Sequence, residues 1–338
     1  MAVTIYDVAK HAGVVPSTVS RYLNGYRVRE KNRLKIEQAV KELGFKQNII
    51  AKGLKSSRLM SIAVLLPNYT VFFMTVTNML ERILAKENYS LLIGNFEDNL
   101  KLLQEKLTFA EERFVNGLIL FSTGVGAESS PMLQRYLDNQ IPVVLIEQKI
   151  PGFETDVVQV DNAHASFRAV EELILENHTK IAIIAGGGYS STIQQRLKGY
   201  YEAMYTYNLP VEKHWIVIGK FVDAGEYAKI RKIFESPNPP TAIYATTYYA
   251  TIGAIITLHK LHLKIPEDVS LIGFDHFDPL DAIEPPLTLV TQPFDKIAQT
   301  AADSLLKRLR GDYTDFPRVV TLNTQMIIQE SVRKLEKP

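Results

Sequence analysis

The sequence predicts an α/β protein with a small all-helical amino-terminal domain and a larger two-lobed core of doubly wound parallel sheets. Residues 4–43 show the apolar spacing of short helices, whereas short apolar runs alternate with helical stretches from Ile62 onward. The alternation occurs in two successive series, which predicts two lobes with a cleft between them. Charge divides the chain at the same place: residues 1–58 hold 12 Lys and Arg against 4 Asp and Glu, and the remainder holds 26 against 33.

The composition is that of an ordinary globular protein. The 338 residues are 46% hydrophobic and 22% charged, and the absence of cysteine excludes disulfides and thiolate metal sites. The amino terminus lacks the apolar core of a signal peptide, and no apolar run approaches the roughly 18 residues that span a bilayer. We therefore expect a cytoplasmic protein. Its basic amino-terminal domain indicates a polyanionic partner.

Residues 4–25 predict two short helices joined by a tight turn. Thr4 can cap the first helix, Gly13 suits the turn, and Pro16 suits the first turn of the second helix. The outer face of the second helix is rich in hydroxyl groups and comprises Ser17, Thr18, Ser20 and Arg21. Such a face can enter a DNA major groove, or it can be the solvated face of an ordinary helical hairpin.

A third helix over residues 31–43 is predicted to close a three-helix core. The basic segment 45–61 follows, with a short helix predicted over 48–54 and little apolar surface of its own. Such a segment can become ordered on binding. Leu54 is then either a wedge inserted between base steps from the minor groove or a residue packed on the core.

The core is predicted from short apolar runs bounded by Pro, Gly, Asn and Asp. The first series has strands at 62–67, 89–95, 116–122, 141–148 and 156–162, with helices at 73–88, 99–114 and 129–139. The second series has strands at 180–187, 214–221, 241–247 and 268–275, with helices at 163–177, 192–207, 224–235 and 249–262. A last helix at 294–310 and a strand at 318–328 complete the pattern. Ligands of such sheets lie outside the carboxyl ends of the strands, so residues there are the candidates for a site.

Motifs for catalysis or cofactor binding are missing or incomplete. Gly186-Gly187-Gly188 follows a strand, but it lacks the G-x-G-x-x-G spacing and the later acidic residue of a dinucleotide site, which favours a plain turn. The seven histidines show no metal-ligand spacing, and there is no G-x-S-x-G elbow. We therefore expect no enzyme activity, no cofactor and no bound metal.

Longer motifs are spread along the chain. They are TIYDVAKHAGV and STVSRYLNG near the amino terminus, VDN at 160–162, RLKGY at 196–200, IPEDVSLIGFD at 265–275 and PPLTLVTQP at 285–293. With them the chain resembles, along essentially its whole length, the LacI/GalR family of bacterial transcriptional regulators. The resemblance implies a homodimer that binds a pseudopalindromic operator, with the helix-turn-helix in the major groove and a hinge helix in the central minor groove. It also implies a core similar to periplasmic sugar-binding proteins, in which a small effector acts allosterically.

The resemblance also implies domain limits and site residues. It places a helix-turn-helix domain at 1–46, a hinge helix and linker at 47–60, one core lobe at 61–160 with about 292–321, and the other at 161–291 with about 322–332. Contacts with DNA bases are expected from Pro16, Ser17 and Arg21, and phosphate contacts or helix caps from Thr4, Thr18, Ser20 and Asn24. Minor-groove contacts of the hinge are expected from Asn48, Ala51, Lys52 and Leu54. Effector contacts are expected from Phe72, Phe73, Glu147, Arg196, Phe221, Thr247, Tyr248 and Asp275.

The chain departs from the family pattern mainly in the cleft. Thr247-Tyr248 stands where the family commonly has Asn-Asp, and Glu147-Gln148 stands where it usually has Asp-Arg. In the hinge, Gln47 replaces a common proline. The departures in the cleft bear on the identity of the ligand more than on the presence of a cleft.

We expect a repressor of a carbohydrate-utilisation operon, controlled by a sugar or sugar phosphate in the cleft. Arg21 can pair with guanine, with a phosphate or with a carboxylate of the chain itself. Arg196 and Asp275 can clamp sugar hydroxyls or form a buried ion pair that ties the lobes together, and Phe221 can stack on the sugar or belong to the core. The alternatives are control by a phosphorylated partner protein or by a purine or nucleoside corepressor. In another class, a sugar-binding transport protein is disfavoured by the basic domain and the missing export signal.

Overall fold

The computed structural model describes residues 3–23, 26–45, 60–187, 190–221, 224–276 and 278–336, and the chain forms two compact units, Met1–Leu59 and Met60–Pro338. In this part of the chain no helix is long and apolar enough to cross a membrane. The residues predicted to act in the hinge and at the end of the second helix lie outside the described ranges: Asn24, Asn48, Ala51, Lys52 and Leu54.

The amino-terminal unit contains three helices, α1 (Ile5–Ala12), α2 (Pro16–Leu23) and α3 (Glu30–Glu42). Thr4 begins α1 with a capping box: its hydroxyl accepts a hydrogen bond from Asp7 N at 3.3 Å, and Asp7 Oδ2 accepts one from Thr4 N at 2.8 Å. Gly13 ends α1 with φ 63°, a conformation that side chains other than glycine rarely adopt. The predicted cap, turn and proline start are therefore confirmed.

The three helices bury a small apolar core and are joined at its edge by polar side chains. The buried core residues are Val8, Ala9, Ala12, Val19, Ile36 and Ala39. His11 Nε2 lies 2.6 Å from Glu42 Oε2 and connects α1 to α3. Tyr22 Oη donates a hydrogen bond to Glu37 Oε1 at 3.1 Å and connects α2 to α3. These contacts fix the orientation of α2 within the unit.

The first lobe of the core unit is a six-stranded parallel sheet covered by helices on both faces. Its strands are β1 (Ser61–Leu66), β2 (Ser90–Asn95), β3 (Gly117–Phe121), β4 (Val143–Ile146), β5 (Asp156–Val160) and β11 (Val319–Leu322). They lie in the order β11-β5-β4-β3-β1-β2. One face packs on α4 (Val71–Lys86) and α11 (Phe294–Leu309), and the other packs on α5 (Leu100–Glu112) and α6 (Ser130–Asp138).

The second lobe repeats this construction with one antiparallel edge strand. Its strands are β6 (Ile181–Gly186), β7 (Ile216–Gly219), β8 (Ala242–Ala245), β9 (Ser270–Phe274), β10 (Thr288–Thr291) and β12 (Gln325–Ile327). They lie in the order β12-β10-β9-β8-β6-β7, with β12 antiparallel to β10. One face packs on α7 (Asn162–Leu175) and α8 (Ser191–Thr206), and the other packs on α9 (Ala224–Phe234) and α10 (Tyr248–Lys260).

The chain passes between the lobes three times, between β5 and α7, between β10 and α11, and between β11 and β12. The single strand predicted at 318–328 is wrong, because residues 319–322 pair with β5 in the first sheet and residues 325–327 pair with β10 in the second. β10 is missing from the predicted strands, although it is as long as β4, β7 and β8, which the apolar pattern predicts. The other helices and strands of the core lie within two residues of their predicted ends, and the predicted fold class is confirmed.

Candidate ligand cavity and nucleic-acid interface

A cavity of about 800 Å³ lies between the two lobes of the core unit, and residues of both lobes line it. This volume falls within the range of small-molecule sites. Its lining follows the carboxyl ends of strands, with Pro67 after β1, Glu97 and Asp98 after β2, Thr123 after β3 and Glu147 after β4 in the first lobe. The second lobe contributes Gly187 after β6, Lys220 after β7, Thr247 after β8, Asp275 after β9 and Gln292 after β10. The site thus lies where parallel α/β sheets hold their ligands.

Two adjacent side chains of the first lobe contact the start of α8 in the second lobe. Glu147 Oε2 accepts hydrogen bonds from the hydroxyls of Thr123 and Thr192, each at 3.2 Å. Gln148 Oε1 accepts hydrogen bonds from the backbone N and the hydroxyl of Ser191, at 3.0 and 2.5 Å. The Glu147-Gln148 pair therefore joins the lobes at the cavity.

Glu147 and Asp275 are both buried carboxyl groups, with 8% and 5% of their surface exposed. Burial raises the pKa of Glu147; Arg196 opposes this rise, and the charge of Asp275 adds to it. Burial also raises the pKa of Asp275, again against the effect of Arg196. Both residues have left-handed backbones, with φ 91° and 67°. Such strained positions concentrate at functional sites, which makes the two carboxyl groups candidates for ligand contact.

Gln292 holds one oxygen of Asp275. Its Nε2 donates a hydrogen bond to Asp275 Oδ1 at 2.7 Å. The Oε1 atom of Gln292 is buried, and no donor in the described part of the chain reaches it. A buried acceptor without a partner at the wall of a cavity is a position where a ligand or a water molecule can donate a hydrogen bond.

Arg196 is buried beside the cavity, and its hydrogen bonds go to neutral oxygen atoms. Its Nε donates a hydrogen bond to Asn162 Oδ1 at 2.8 Å, and its Nη1 donates to the carbonyl oxygen of Thr246. Its Cζ lies 3.6 Å from the centre of the Phe274 ring. Within the described ranges no carboxylate oxygen lies within 4 Å of its guanidinium nitrogens. The alternative of a buried ion pair between Arg196 and Asp275 is therefore not what the structure shows, and both residues belong to the second lobe.

Aromatic side chains from both lobes line the cavity: Phe72, Phe73, Tyr248 and Tyr249. Phe72 and Phe73 contact each other edge to face, with ring centres 5.2 Å apart. The structure differs from the prediction at Phe221, which does not line the cavity. Its ring is fully buried in the apolar core that β6 and β7 share with α9 and α10, so the core packing takes up the face expected to stack on a ligand.

The remaining predicted residues have clear local roles. Thr247 lines the cavity and also caps α10, because its hydroxyl accepts a hydrogen bond from Ala250 N at 3.1 Å. At the rim, Lys220 Nζ lies 3.9 Å from Asp98 Oδ2 on the other lobe. In the described residues no group of three or more acidic or histidine side chains is arranged to hold a metal ion.

Sequence reasoning missed several lining residues, among them Glu97, Asp98, Ser190, Thr192, Lys220, Tyr249 and Gln292. Glu97, Asp98 and Lys220 come at or just after the ends of predicted strands, so the strand-end rule could have found them. Gln292 follows β10, which the apolar pattern does not predict. No local signal in the sequence marks it.

In the amino-terminal unit, α2 presents Pro16, Ser17 and Arg21 as exposed residues. Arg21 has no ion-pair or hydrogen-bond partner among the described residues. Arg33 of the same unit contrasts with it, because Arg33 pairs with Glu30 and with Glu37. The structure therefore does not show Arg21 pairing with a carboxylate of its own chain, and the guanidinium is available for another anion or for a base.

Known proteins resemble both parts of the chain. The sequence model of the bacterial regulatory proteins of the lacI family matches residues 4–48, and that of the periplasmic binding protein-like domain matches residues 170–332. The HTH-type transcriptional repressor PurR of Aliivibrio salmonicida is 28% identical over 98% of this chain and 99% of its own length. The lac repressor dimer bound to operator and the anti-inducer ONPF has a TM-score of 0.88 at 20% identity, over 98% of this chain and 100% of that one. A LacI family transcriptional regulator from Enterococcus faecium with bound ribose has a TM-score of 0.71 at 25% identity, over 82% of this chain and 100% of that one.

A helix-turn-helix domain joined to a two-lobed core with a cavity between its lobes defines a class of DNA-binding regulators with a ligand-binding core. The chain belongs to the LacI/GalR family of bacterial transcriptional regulators. Its relatives are repressors and not enzymes, which confirms the expectation of a regulator without catalytic activity.

Proposed function

We propose that the protein is a cytoplasmic repressor that binds a pseudopalindromic operator as a homodimer, and that a sugar in the inter-lobe cavity controls its affinity for DNA. The observation that carries the proposal is the cavity itself, because side chains of both lobes line it and a buried acceptor at its wall, Gln292 Oε1, has no donor within the described residues. A ligand that contacts both lobes binds their closed arrangement more tightly. The change that it can cause in the free energy of DNA binding is limited to this difference in affinity, typically about 1–3 kcal/mol.

The charges of the cavity disfavour a sugar phosphate and favour a sugar without a negative charge. Four carboxylates line it, Glu97, Asp98, Glu147 and Asp275, against two basic side chains, Arg196 and Lys220. A phosphate group carries about −1.5 to −2 charges near neutral pH and is bound by clustered arginine and lysine donors, which this cavity lacks. The relative from Enterococcus faecium with bound ribose supports the same class of ligand.

The aromatic lining favours a purine or nucleoside corepressor as a second candidate. Phe72 and Tyr248 lie on opposite lobes, and aromatic rings stack on the flat face of a base as well as on the apolar face of a sugar. A thermal-shift screen of pentoses, hexoses, their phosphates, purine bases and nucleosides separates the candidates. A ligand at 100 times its Kd stabilises the folded protein by about 2.7 kcal/mol. Stabilisation by sugar phosphates alone would contradict the preference for a ligand without a phosphate group.

For the DNA, we propose that Pro16, Ser17 and Arg21 contact base edges, and that Thr18, Ser20 and Asn24 contact phosphates. The capping box supports Thr4 as a cap. We propose that the hinge lies in the minor groove at the centre of the operator, with Leu54 as the wedge between base steps. Its other proposed contacts are Asn48, Ala51 and Lys52. Two recognition helices of a dimer then meet half-sites separated by one or more helical turns.

The Arg21→Ala variant tests the base contact. We expect it to relax the preference at one base of each half-site by about 1–3 kcal/mol, because a bidentate contact with guanine discriminates by that amount. Selection of bound duplexes from a random library, followed by sequencing, measures the preference. Arg29→Ala, an exposed arginine outside α2, is the matched control and should leave base preferences unchanged. An equal loss of affinity on every sequence would assign Arg21 to a phosphate instead.

A further inference from the structure

Some acceptor atoms at the wall of the inter-lobe cavity have no donor among the described residues. Glu147 accepts hydrogen bonds from Thr123 and Thr192 through Oε2 alone, and no donor among the described residues reaches its Oε1. Asp275 accepts from Gln292 through Oδ1, and in the same part of the chain its Oδ2 accepts nothing. Two oxygens of buried carboxyl groups at the wall of one cavity are thus left for a ligand.

Gln292 adds a third acceptor, and its contact with Asp275 shows which of its two terminal atoms is the oxygen. Its nitrogen must face Asp275, because only a donor can lie 2.7 Å from a carboxylate oxygen. The amide oxygen therefore has to be Oε1, the atom that is buried without a partner within the described ranges. Gln292 is only 7% exposed and lines the cavity, so only a group inside the cavity can donate to it.

The cations near these acceptors do not satisfy them. Arg196 donates to the neutral oxygens of Asn162 and Thr246 and stacks on Phe274, and in the described chain it forms no ion pair. Lys220 lies at the rim with 70% of its side chain exposed, and it pairs loosely with Asp98. The buried part of the cavity therefore carries two carboxyl groups and one arginine whose hydrogen bonds go to Asn162 and Thr246.

We propose that the effector carries a protonated amine on a polyhydroxylated frame, as an amino sugar does, and that the ammonium group faces Glu147, Asp275 and Gln292. An ammonium group has three donors, whereas a hydroxyl has one, and three acceptors wait here. It also offsets the excess of negative charge, which a hydroxyl does not. Burial raises the pKa values of Glu147 and Asp275 although the charge of Arg196 opposes the rise, so a further cation at the cavity wall would stabilise their charged forms. This inference rests on the proposed control by a sugar and narrows its chemistry.

Calorimetric titration of the full chain with matched sugars tests the proposal. The probes are glucose, glucosamine and N-acetylglucosamine, with the corresponding galactose and mannose sets, below neutral pH where the free amine is protonated. We expect at least one amino sugar to bind ten times or more tightly than both its neutral parent and its acetylated form. A neutral sugar that binds as tightly as its amino counterpart would overturn the amine and leave the control by a sugar intact. Binding by no member of the three sets would count against both.

Glu147→Gln locates the amine, because the amide keeps the shape of the side chain and removes its charge. We expect the tenfold advantage of the amino sugar over its neutral parent, with both measured on this variant, to fall below threefold. Glu330→Gln removes an exposed carboxylate outside the cavity and should change neither affinity. An amino sugar that keeps its full advantage in Glu147→Gln would overturn the proposed position.

Discussion

Two arginines are buried to the same extent in this protein, and they are used in opposite ways. Arg308 and Arg196 are each only 3% exposed. Arg308 makes a two-pronged contact with Asp156, through Nε at 2.8 Å and Nη2 at 3.0 Å, and Nη2 also lies 2.8 Å from Asp315. The hydrogen bond with Asp156 raises the pKa of Arg308, so its charge is secure. Arg196 has no such carboxylate partner in the described chain.

The difference separates a structural site from a binding site. A buried charge that is fully paired stabilises the arrangement around it and has no capacity for a ligand. Around Arg196 the carboxyl groups of Glu147 and Asp275 keep free oxygens, and the folded protein bears the desolvation of these charges. A ligand that meets these groups recovers part of that free energy, which is how a cavity binds specifically with few polar groups.

The largest effect is expected from Arg308→Met. The substitution leaves Asp156, whose side chain is 1% exposed, without its cation, and breaking a buried pair in this way costs about 3–5 kcal/mol. Urea unfolding measures the free energy. Arg310→Met removes an exposed arginine whose pair with Glu87 lies at the surface, and it should cost less than about 1 kcal/mol. Equal losses of unfolding free energy in the two variants would show that the pair of Arg308 with Asp156 does not stabilise the fold.

A smaller loss of stability is expected from Arg196→Met, together with loss of the ligand. The acceptors on Asn162 and Thr246 lose one donor each, and each unsatisfied buried acceptor costs about 1–3 kcal/mol, a loss that the removal of a buried charge partly offsets. Urea unfolding and calorimetric titration of the same preparation measure the two effects. A variant that binds the effector normally would remove Arg196 from the site.

A gain of stability is expected from Asp275→Asn in the ligand-free protein. The amide oxygen still accepts from Gln292, and the variant removes a buried charge that raises the pKa of Glu147. Substitutions that relieve strain at binding sites typically stabilise by about 0.5–2 kcal/mol and reduce function. Unfolding at neutral pH measures the gain, with Asp303→Asn on the exposed side of α11 as the control. A loss of stability would mean that the Asp275 charge is satisfied in the folded protein.

The smallest effect is a change in pH dependence. The folded protein holds the pKa of Glu147 above its ordinary value of 4.5 and that of Asp275 above 3.8. Between these ordinary values and the raised ones, the two groups therefore bind more protons in the folded protein than in the unfolded chain. The stabilising contribution of these two groups is therefore present below those ordinary values and is lost as the pH rises through the raised ones. Asp315, whose pKa Lys307 and Arg308 lower to about 2, acts in the opposite sense at lower pH. Unfolding of wild type and Glu147→Gln from acidic to neutral pH should show a shallower decline in the variant, and parallel curves would contradict the assignment.

Local features of the sequence predicted the fold, whereas the pairing of side chains across the fold could not be predicted. The capping box at Thr4 and the alternation of strands and helices depend on neighbours a few residues apart, so the sequence shows them directly. Arg308 and Asp156 are 152 residues apart, and only the packing of α11 on the first sheet brings them together. Phe221 follows a strand just as the residues that line the cavity do. Its backbone has φ 54°, and its ring lies in the apolar core of the second lobe. Gln292 becomes part of the site only because β10 lies beside β9.

We propose that a ligand held by the buried acceptor groups of the cavity changes the affinity of the amino-terminal unit for DNA. Fluorescence anisotropy measures it most directly, with a labelled duplex recovered by selection and the sugar that stabilises the protein most. We expect saturating sugar to change the Kd of the wild-type protein for the duplex by about fivefold or more, in line with a coupling of about 1–3 kcal/mol. In Arg196→Met we expect the same sugar to leave this Kd unchanged. An operator affinity that is the same with and without a sugar bound in the cavity would contradict it.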